Sequence, residues 1–452
     1  MASGYSWGTM WQGLTATDKK LWRLAVPMIL SNISVPLLGL VDTAVIGHLS
    51  HEVFLAGVAI GSSVTSFVFM LFLFLRMGTT GLTAQAWGAK NANQLIEALF
   101  QPLLLSLVIG TLFALFHLPI TELILKLMGS ANEARQQAHL FLSIRWLSAP
   151  ATLANMVLLG WLLGIQYAKA PLILLIGGNV VNIVLELLFV LHWHYAVSGA
   201  AWATVISEYF SLCLGLYLVW RAAQQRNLSL MPKGIQLGQG LMRVFRLNRD
   251  ILLRSLFLQL CLISFTIIGA RLGTHIVAVN ALLLMFMTFT SYALDGFAYA
   301  VESVSGEAFG ARNMASLRAI WYAACKQAAV VALLFSGIYA CLGNTIIDLL
   351  TSLPSLQQES GHYLIWQVIC PLVGVGCYLL DGLFVGATRG REMRNSMLIA
   401  AIGFGLTLFT VPVLGNHGLW LALMVFLTLR GITLGYRWLM HLRNDSWFDL
   451  SR

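Results

Sequence analysis

The chain has 452 residues, 58% of them hydrophobic and 10% charged, with 27 Lys and Arg against 18 Asp and Glu and a formal net charge of +9. A soluble domain carries about 25% charged residues, so this composition, with mean hydropathy +0.80, excludes an ordinary soluble protein and indicates a polytopic membrane protein. In a soluble chain the positive balance would suggest nucleic acid; here the placement of the charges accounts for it instead.

Residues 1–20 form a leader carrying Trp7 and Trp11, side chains suited to a membrane interface. No apolar core precedes the first charges, so the first span is expected to serve as its own targeting signal. A spanning helix needs roughly 20 apolar residues. Twelve segments qualify: α1 at 21–47, α2 at 54–86, α3 at 94–116, α4 at 136–165, α5 at 170–192 and α6 at 198–221, then α7 at 248–272, α8 at 275–309, α9 at 315–342, α10 at 361–388, α11 at 393–413 and α12 at 418–441. Between α3 and α4, Pro119 to Gly129 is too short to span and is expected to lie in the outer interface. The six cysteines sit in apolar segments without a CxxC pair, which predicts neither a disulfide framework nor a zinc site.

Lys and Arg accumulate on the cytoplasmic side of membrane proteins. With the N-terminus inside, nineteen of the 27 fall on inner segments, three (Lys126, Arg135, Arg271) on outer ones and five within spans. That skew predicts both termini in the cytoplasm and an even helix number.

The basic connection 222–247, with Pro232-Lys233-Gly234, divides the chain near its middle. Ala-Gln-Ala-Trp-Gly-Ala-Lys-Asn at 84–91 returns as Gly-Glu-Ala-Phe-Gly-Ala-Arg-Asn at 306–313, an offset of 222. The same offset relates Gly47 to Gly269, Leu95 to Leu317, Gly160 to Gly382 and Gly164 to Gly386. The expected fold class is therefore an all-α membrane protein: twelve transmembrane helices in two six-helix lobes related by a pseudo-twofold axis along the membrane normal. The expected divisions are a leader 1–20, N-lobe 21–221, linker 222–247, C-lobe 248–441 and tail 442–452. The pairs Gly57/Gly61, Gly160/Gly164, Gly382/Gly386 and Gly431/Gly435 are spaced for close helix packing.

Polar groups inside the spans are the functional candidates, because a charge in hydrocarbon costs about 3 kcal/mol on insertion scales. α1 carries Pro27, Asn32, Pro36 and Asp42. Pro36 cannot donate to the Asn32 carbonyl, so the helix can bend there. Asp42 lies six residues before His48, Glu186 six before His192 and Thr204 six after Ser198. All three are thus about 9 Å below the outer surface. Asn179, Asn182 and Glu186 share one face of α5. Burial and a like-charged neighbour both favour a protonated carboxyl, and a close pair can share one proton. Oxygen ligands also suit a hard cation, so Asp42, Asn182 and Glu186 are a candidate sodium site as well.

The second half offers Asp381 on α10 and a stripe on α8, Tyr292, Asp295, Tyr299 and Glu302, which suits a cavity for an aromatic or cationic solute. It also suits packing between lobes. Arg145, Glu208, Arg254, Lys326 and Arg430 are read as structural ion pairs or snorkelling groups. His48 and His51 are read as a solvated turn. No Walker A, HExxH, GxSxG or dinucleotide turn is present. No enzymatic activity and no cofactor is expected, and an ion gradient is the simplest drive.

These features resemble a known family. Val41-Asp42-Thr43 with Ile46-Gly47-His48, and the doubled Ala/Glu-x-Gly-Ala-Lys/Arg-Asn motifs, are similar to the multidrug and toxic compound extrusion (MATE) family from Trp22 to His441. RWLSAPA at 145–151, NMVLLGWLLGIQYA at 155–168, ALDGFAYAVE at 293–302, YLIWQV at 363–368 and LGNHGLWLAL at 414–423 resemble its bacterial DNA-damage-inducible protein F branch. The resemblance implies a multidrug antiporter of the bacterial inner membrane. It implies coupling through Asp42, Asn182, Glu186 and Thr204, a cavity residue at Asn155, and bending of α1 at Pro27, with Pro36 a second candidate. Asn32, Asn179, Tyr292, Asp295, Tyr299 and Asp381 complete the candidate substrate cavity. Glu186 departs from the Asp common at that position. Sister branches place sodium between an α7 Glu and an α10 Asp; α7 here offers Gln259 instead. The expected activity is exchange of protons for amphipathic, cationic organic compounds, by a monomer in the lipid bilayer and with no nucleic acid. Sodium-coupled exchange and flipping of a lipid-linked substrate are the alternatives.

Overall fold

A computed structural model describes residues 15–49, 51–129, 132–230 and 241–450. The leader tryptophans Trp7 and Trp11, and Pro232-Lys233-Gly234 of the linker, lie outside the described residues. Those residues form helices and no β-strand. Twelve helices are long and apolar enough to cross a membrane: α1 Ala16–Gly47, α2 Val53–Gly88, α3 Ala92–Leu115, α4 Glu133–Gly164, α5 Lys169–His192, α6 Ala196–Gln225, α7 Met242–Leu272, α8 Thr274–Gly310, α9 Met314–Leu350, α10 Pro354–Gly386, α11 Gly390–Leu414 and α12 Asn416–Arg443. The short segment after α3 is a helix, His117–Met128, closed by Gly129 at φ 60°. Glycine serves that left-handed position because it has no Cβ to clash.

The repeated motif has a local structural meaning. Lys90 and Arg312 adopt φ of 54° and 51°. The next residue caps the following helix: Asn91 Oδ1 accepts from the Gln94 amide at 3.2 Å, and Asn313 Oδ1 from the Ser316 amide at 3.1 Å. Each duplicated sequence therefore ends one long helix, turns left-handed and starts another.

The repeated glycines do the same work in each half. A Cβ on Gly160 would lie 2.6 Å from the Arg76 carbonyl oxygen, and one on Gly382 would lie 2.6 Å from that of Ala298. Gly164 abuts Thr83, and Gly386 abuts Ser305. Each partner pair keeps the 222 offset (76 to 298, 83 to 305). Gly57 and Gly61 likewise meet Gln137 and Phe141 on α4, whereas Gly431 and Gly435 make only ordinary van der Waals contacts.

The helices form two compact units, one of residues 30–248 and the other of 15–29 with 249–450. The division thus falls within α1, between Ile29 and Leu30. Side chains explain this. Thr15 and Asp18 cap each other at the start of α1. Buried Asp18 also accepts from Gln327 Nε2 at 2.6 Å and Lys326 Nζ at 3.2 Å. Lys20 pairs with Glu307 at 2.9 Å, and Trp22 packs edge-on against Phe297. The tail is fastened within this unit too. Arg389 donates to the carbonyls of Ser446, Trp447 and Asp449, and Trp447 is fully buried.

Forcing a side chain into a packed contact costs typically about 1–3 kcal/mol. Gly160→Ala and Gly382→Ala are each expected to lower the thermal unfolding temperature of the detergent-solubilised protein. Gly376→Ala and Gly405→Ala, where a Cβ meets nothing within 4 Å, are the matched controls and leave it nearly unchanged.

Candidate functional site

Within the unit of residues 30–248, five helices surround a cavity of about 610 Å³. α1 contributes Gly39 and Asp42, α2 Ser62 and Thr65, and α4 Arg145 and Asn155. α5 contributes Asn179, Asn182 and Glu186, and α6 Thr204 and Glu208. Gly178 lets α5 approach α6 here, since a Cβ would lie 2.5 Å from Ser211 Oγ.

All four residues predicted to couple ions, Asp42, Asn182, Glu186 and Thr204, line this one cavity. Asp42 and Glu186 stand on the wall of this one cavity, near enough for each carboxyl to act electrostatically on the other. Glu186 and Asn182 are buried. On this wall two oxygens, Asp42 Oδ1 and Asn182 Oδ1, are buried without a hydrogen-bond partner among the described residues. Thr204 Oγ1 donates to the Ala200 carbonyl at 3.2 Å and keeps its lone pairs available. This part of the wall offers several oxygen acceptors, an arrangement suited to a proton or a small cation. Among the described residues, no group of three or more His, Cys, Asp or Glu is assembled for a metal ion.

Of the predicted substrate-cavity residues, Asn155 and Asn179 line the same space. Asn179 also donates to Ser34 Oγ at 3.0 Å, tying α5 to α1. Asn32 is buried in α1 and does not line it. Tyr292, Asp295, Tyr299 and Asp381 belong to the other unit and take no part in this cavity. For Asp381 the physical reason is plain. It is buried and paired with Arg254 at 2.6 Å and with Arg430, so guanidinium groups already meet its charge. α1 runs as a continuous helix through both proposed hinges, Pro27 and Pro36.

Sequence reasoning missed two features. Arg145 and Glu208, read as structural, stand on the cavity wall. Directly after Glu186, residues Leu187–His192 form a π-helical turn, with the Trp193 amide donating to the Leu188 carbonyl at 2.9 Å. Such turns re-phase a helix and recur at functional sites. The apolar run LLFVLH contains no proline or glycine to announce it.

The MatE family model matches residues 27–188 and again 251–413. The chain is 59% identical to the DNA damage-inducible protein F of Escherichia coli (strain K12), covering 96% of this chain and 95% of that one. It is 23% identical to a probable multidrug resistance protein NorM of Acinetobacter baylyi (strain ATCC 33305 / BD413 / ADP1), over 92% of this chain and 94% of that one. A crystal structure of MATE in the bent conformation superposes with TM-score 0.85 at 21% identity, covering 96% of each chain.

Removing one partner of a buried ion pair costs about 3–5 kcal/mol. Asp381→Asn is expected to lower the thermal unfolding temperature markedly, and adding Arg254→Gln and Arg430→Gln to recover part of the loss. An Asp381→Asn protein as stable as its parent would contradict the clamp.

Proposed function

The chain belongs to the MatE family, and on that premise we propose that it is a secondary active multidrug efflux antiporter of the bacterial inner membrane, exchanging protons for amphipathic, cationic organic compounds by alternating access. The observation that carries the reading is that Asp42 and Glu186 share the wall of a cavity large enough for an organic solute. Two carboxyls near enough to act on each other hold a proton between them more readily than two charges. The name of the Acinetobacter relative, a probable multidrug resistance protein, supports the substrate class.

In this scheme both termini are cytoplasmic, in keeping with the charge skew of the loops. Facing outward, Asp42 and Glu186 take up protons. Neutralised, they loosen their hold on neighbouring polar groups. The stretch of α1 from Leu30 onward, which packs with the cavity-bearing unit, then shifts about Pro27 or Pro36, and the drug leaves. Facing inward, the acids release their protons to the cytoplasm and the cavity accepts new cargo. Each proton entering across 100 mV supplies about 2.3 kcal/mol from the potential alone. Sodium is the second reading, because the two partnerless oxygens, Asp42 Oδ1 and Asn182 Oδ1, would also suit a hard cation.

In respiring everted vesicles, adding drug is expected to release protons. Asp42→Asn abolishes the signal, whereas Asp381→Asn retains it per folded molecule. The reverse pattern would move coupling to the second unit. Liposomes given a proton or a sodium gradient alone separate the two ions: the proton gradient is expected to drive uptake, and uptake driven only by sodium would overturn that choice.

A further inference from the structure

The cavity wall carries a second set of charges that the proton scheme leaves unused. Arg145 Nη2 and Glu208 Oε1 face each other at 3.9 Å, an ion pair too long to be a hydrogen bond. Each is held by something else. Arg145 donates to Ser148 Oγ and stacks its guanidinium over the Phe69 ring, 5.1 Å from the centroid. Glu208 Oε2 accepts from Asn155 Nδ2 at 3.1 Å, and the same amide donates to the Glu208 carbonyl at 3.0 Å. The two charges are positioned without being closed on each other. The Arg145 side chain is 11% exposed and that of Glu208 27%, so the acid is the more accessible of the two. Asn155 Oδ1 beside it is buried and has no hydrogen-bond partner. Glu208 also sits one helical turn from Thr204, on the face of α6 that lines the cavity.

A carboxylate away from water needs a counter-charge, and an attraction of this kind strengthens steeply as separation falls in a low dielectric. Arg145 provides that charge at a distance. An organic cation entering the cavity can come closer to Glu208 than the tethered guanidinium does. Resting on the substrate class proposed above, we infer that Glu208 is the carboxylate that reads the positive charge of the exported compound. Asn155 positions it, and Arg145 is its resident counter-ion, partly displaced when substrate binds. Labour on the wall is then divided. Asp42 and Glu186 handle the proton, Glu208 handles the substrate charge, and the two need not compete for one carboxylate.

The test is equilibrium binding to the purified full-length protein of two probes, tetraphenylphosphonium and its neutral relative triphenylphosphine oxide. Glu208→Gln is expected to weaken binding of the cation at least about tenfold, through the loss of one charge–charge attraction in a low dielectric, and to leave the neutral probe unchanged. The doubly neutral Arg145→Gln/Glu208→Gln protein, which strands no charge, is expected to show the same selective loss at parental thermal stability. Asp42→Asn is expected to keep the preference for the cation while losing drug-driven proton release. Glu208→Gln protein that binds both probes like the parent overturns the inference. So does one that loses both probes and its stability together while the double variant regains them, which marks a structural ion pair. A parent protein that binds neither probe overturns the substrate reading itself.

Discussion

A charged carboxyl cannot rest in hydrocarbon without a partner, and the two units meet that constraint in opposite ways. In the unit of residues 30–248, Asp42 and Glu186 stand on the wall of one cavity, near enough for each carboxyl to act on the other. Among the described residues no guanidinium pairs with either of them, and Arg145 of the same cavity faces Glu208. In the other unit Asp381 is buried between Arg254 and Arg430. A carboxyl pair is responsive, since one proton changes its charge and its grip on its surroundings. A carboxylate clamped by two arginines is not, since guanidinium stays protonated throughout the physiological range. The difference explains why the proposed exchange chemistry is assigned to one unit although both descend from the same repeat.

That repeat persists as backbone. The left-handed turn and asparagine cap at 90–91 recur at 312–313, and the glycine contacts on Arg76 and Thr83 recur on Ala298 and Ser305. Such positions tolerate little change, because a Cβ would meet a carbonyl oxygen or a neighbouring backbone. Polar side chains facing a cavity are under no such packing limit. The frame has kept its twofold pattern while the charges inside it have diverged.

Most of the fold was legible because hydrocarbon imposes a simple rule. Every spanning segment must be apolar for roughly 20 residues, so the twelve spans could be read directly, and the offset of 222 exposed the duplication. Counting residues from the helix ends brought Asp42, Glu186 and Thr204 to one depth, and they line one cavity. What counting could not supply was rotation and partner. Depth does not reveal which way a side chain faces: Asp381 is buried between Arg254 and Arg430, and Arg145 and Glu208, an ion pair as read, also stand on the cavity wall. The shared allegiance of α1, divided between Ile29 and Leu30, depends on Asp18, Lys20 and Trp22 meeting residues 275 to 309 positions away. No local pattern encodes such contacts. The π-helical turn after Glu186 was equally silent.

The central claim is that a proton held between Asp42 and Glu186 leaves when substrate binds. Infrared difference spectroscopy in the carboxyl-stretch region tests it most directly, by comparing the protein with and without a bound organic cation. The account predicts that a protonated-carboxyl band loses intensity on binding and that this change vanishes in Asp42→Asn. A spectrum in which substrate binds and no carboxyl band changes, or in which the change survives that substitution, would contradict it.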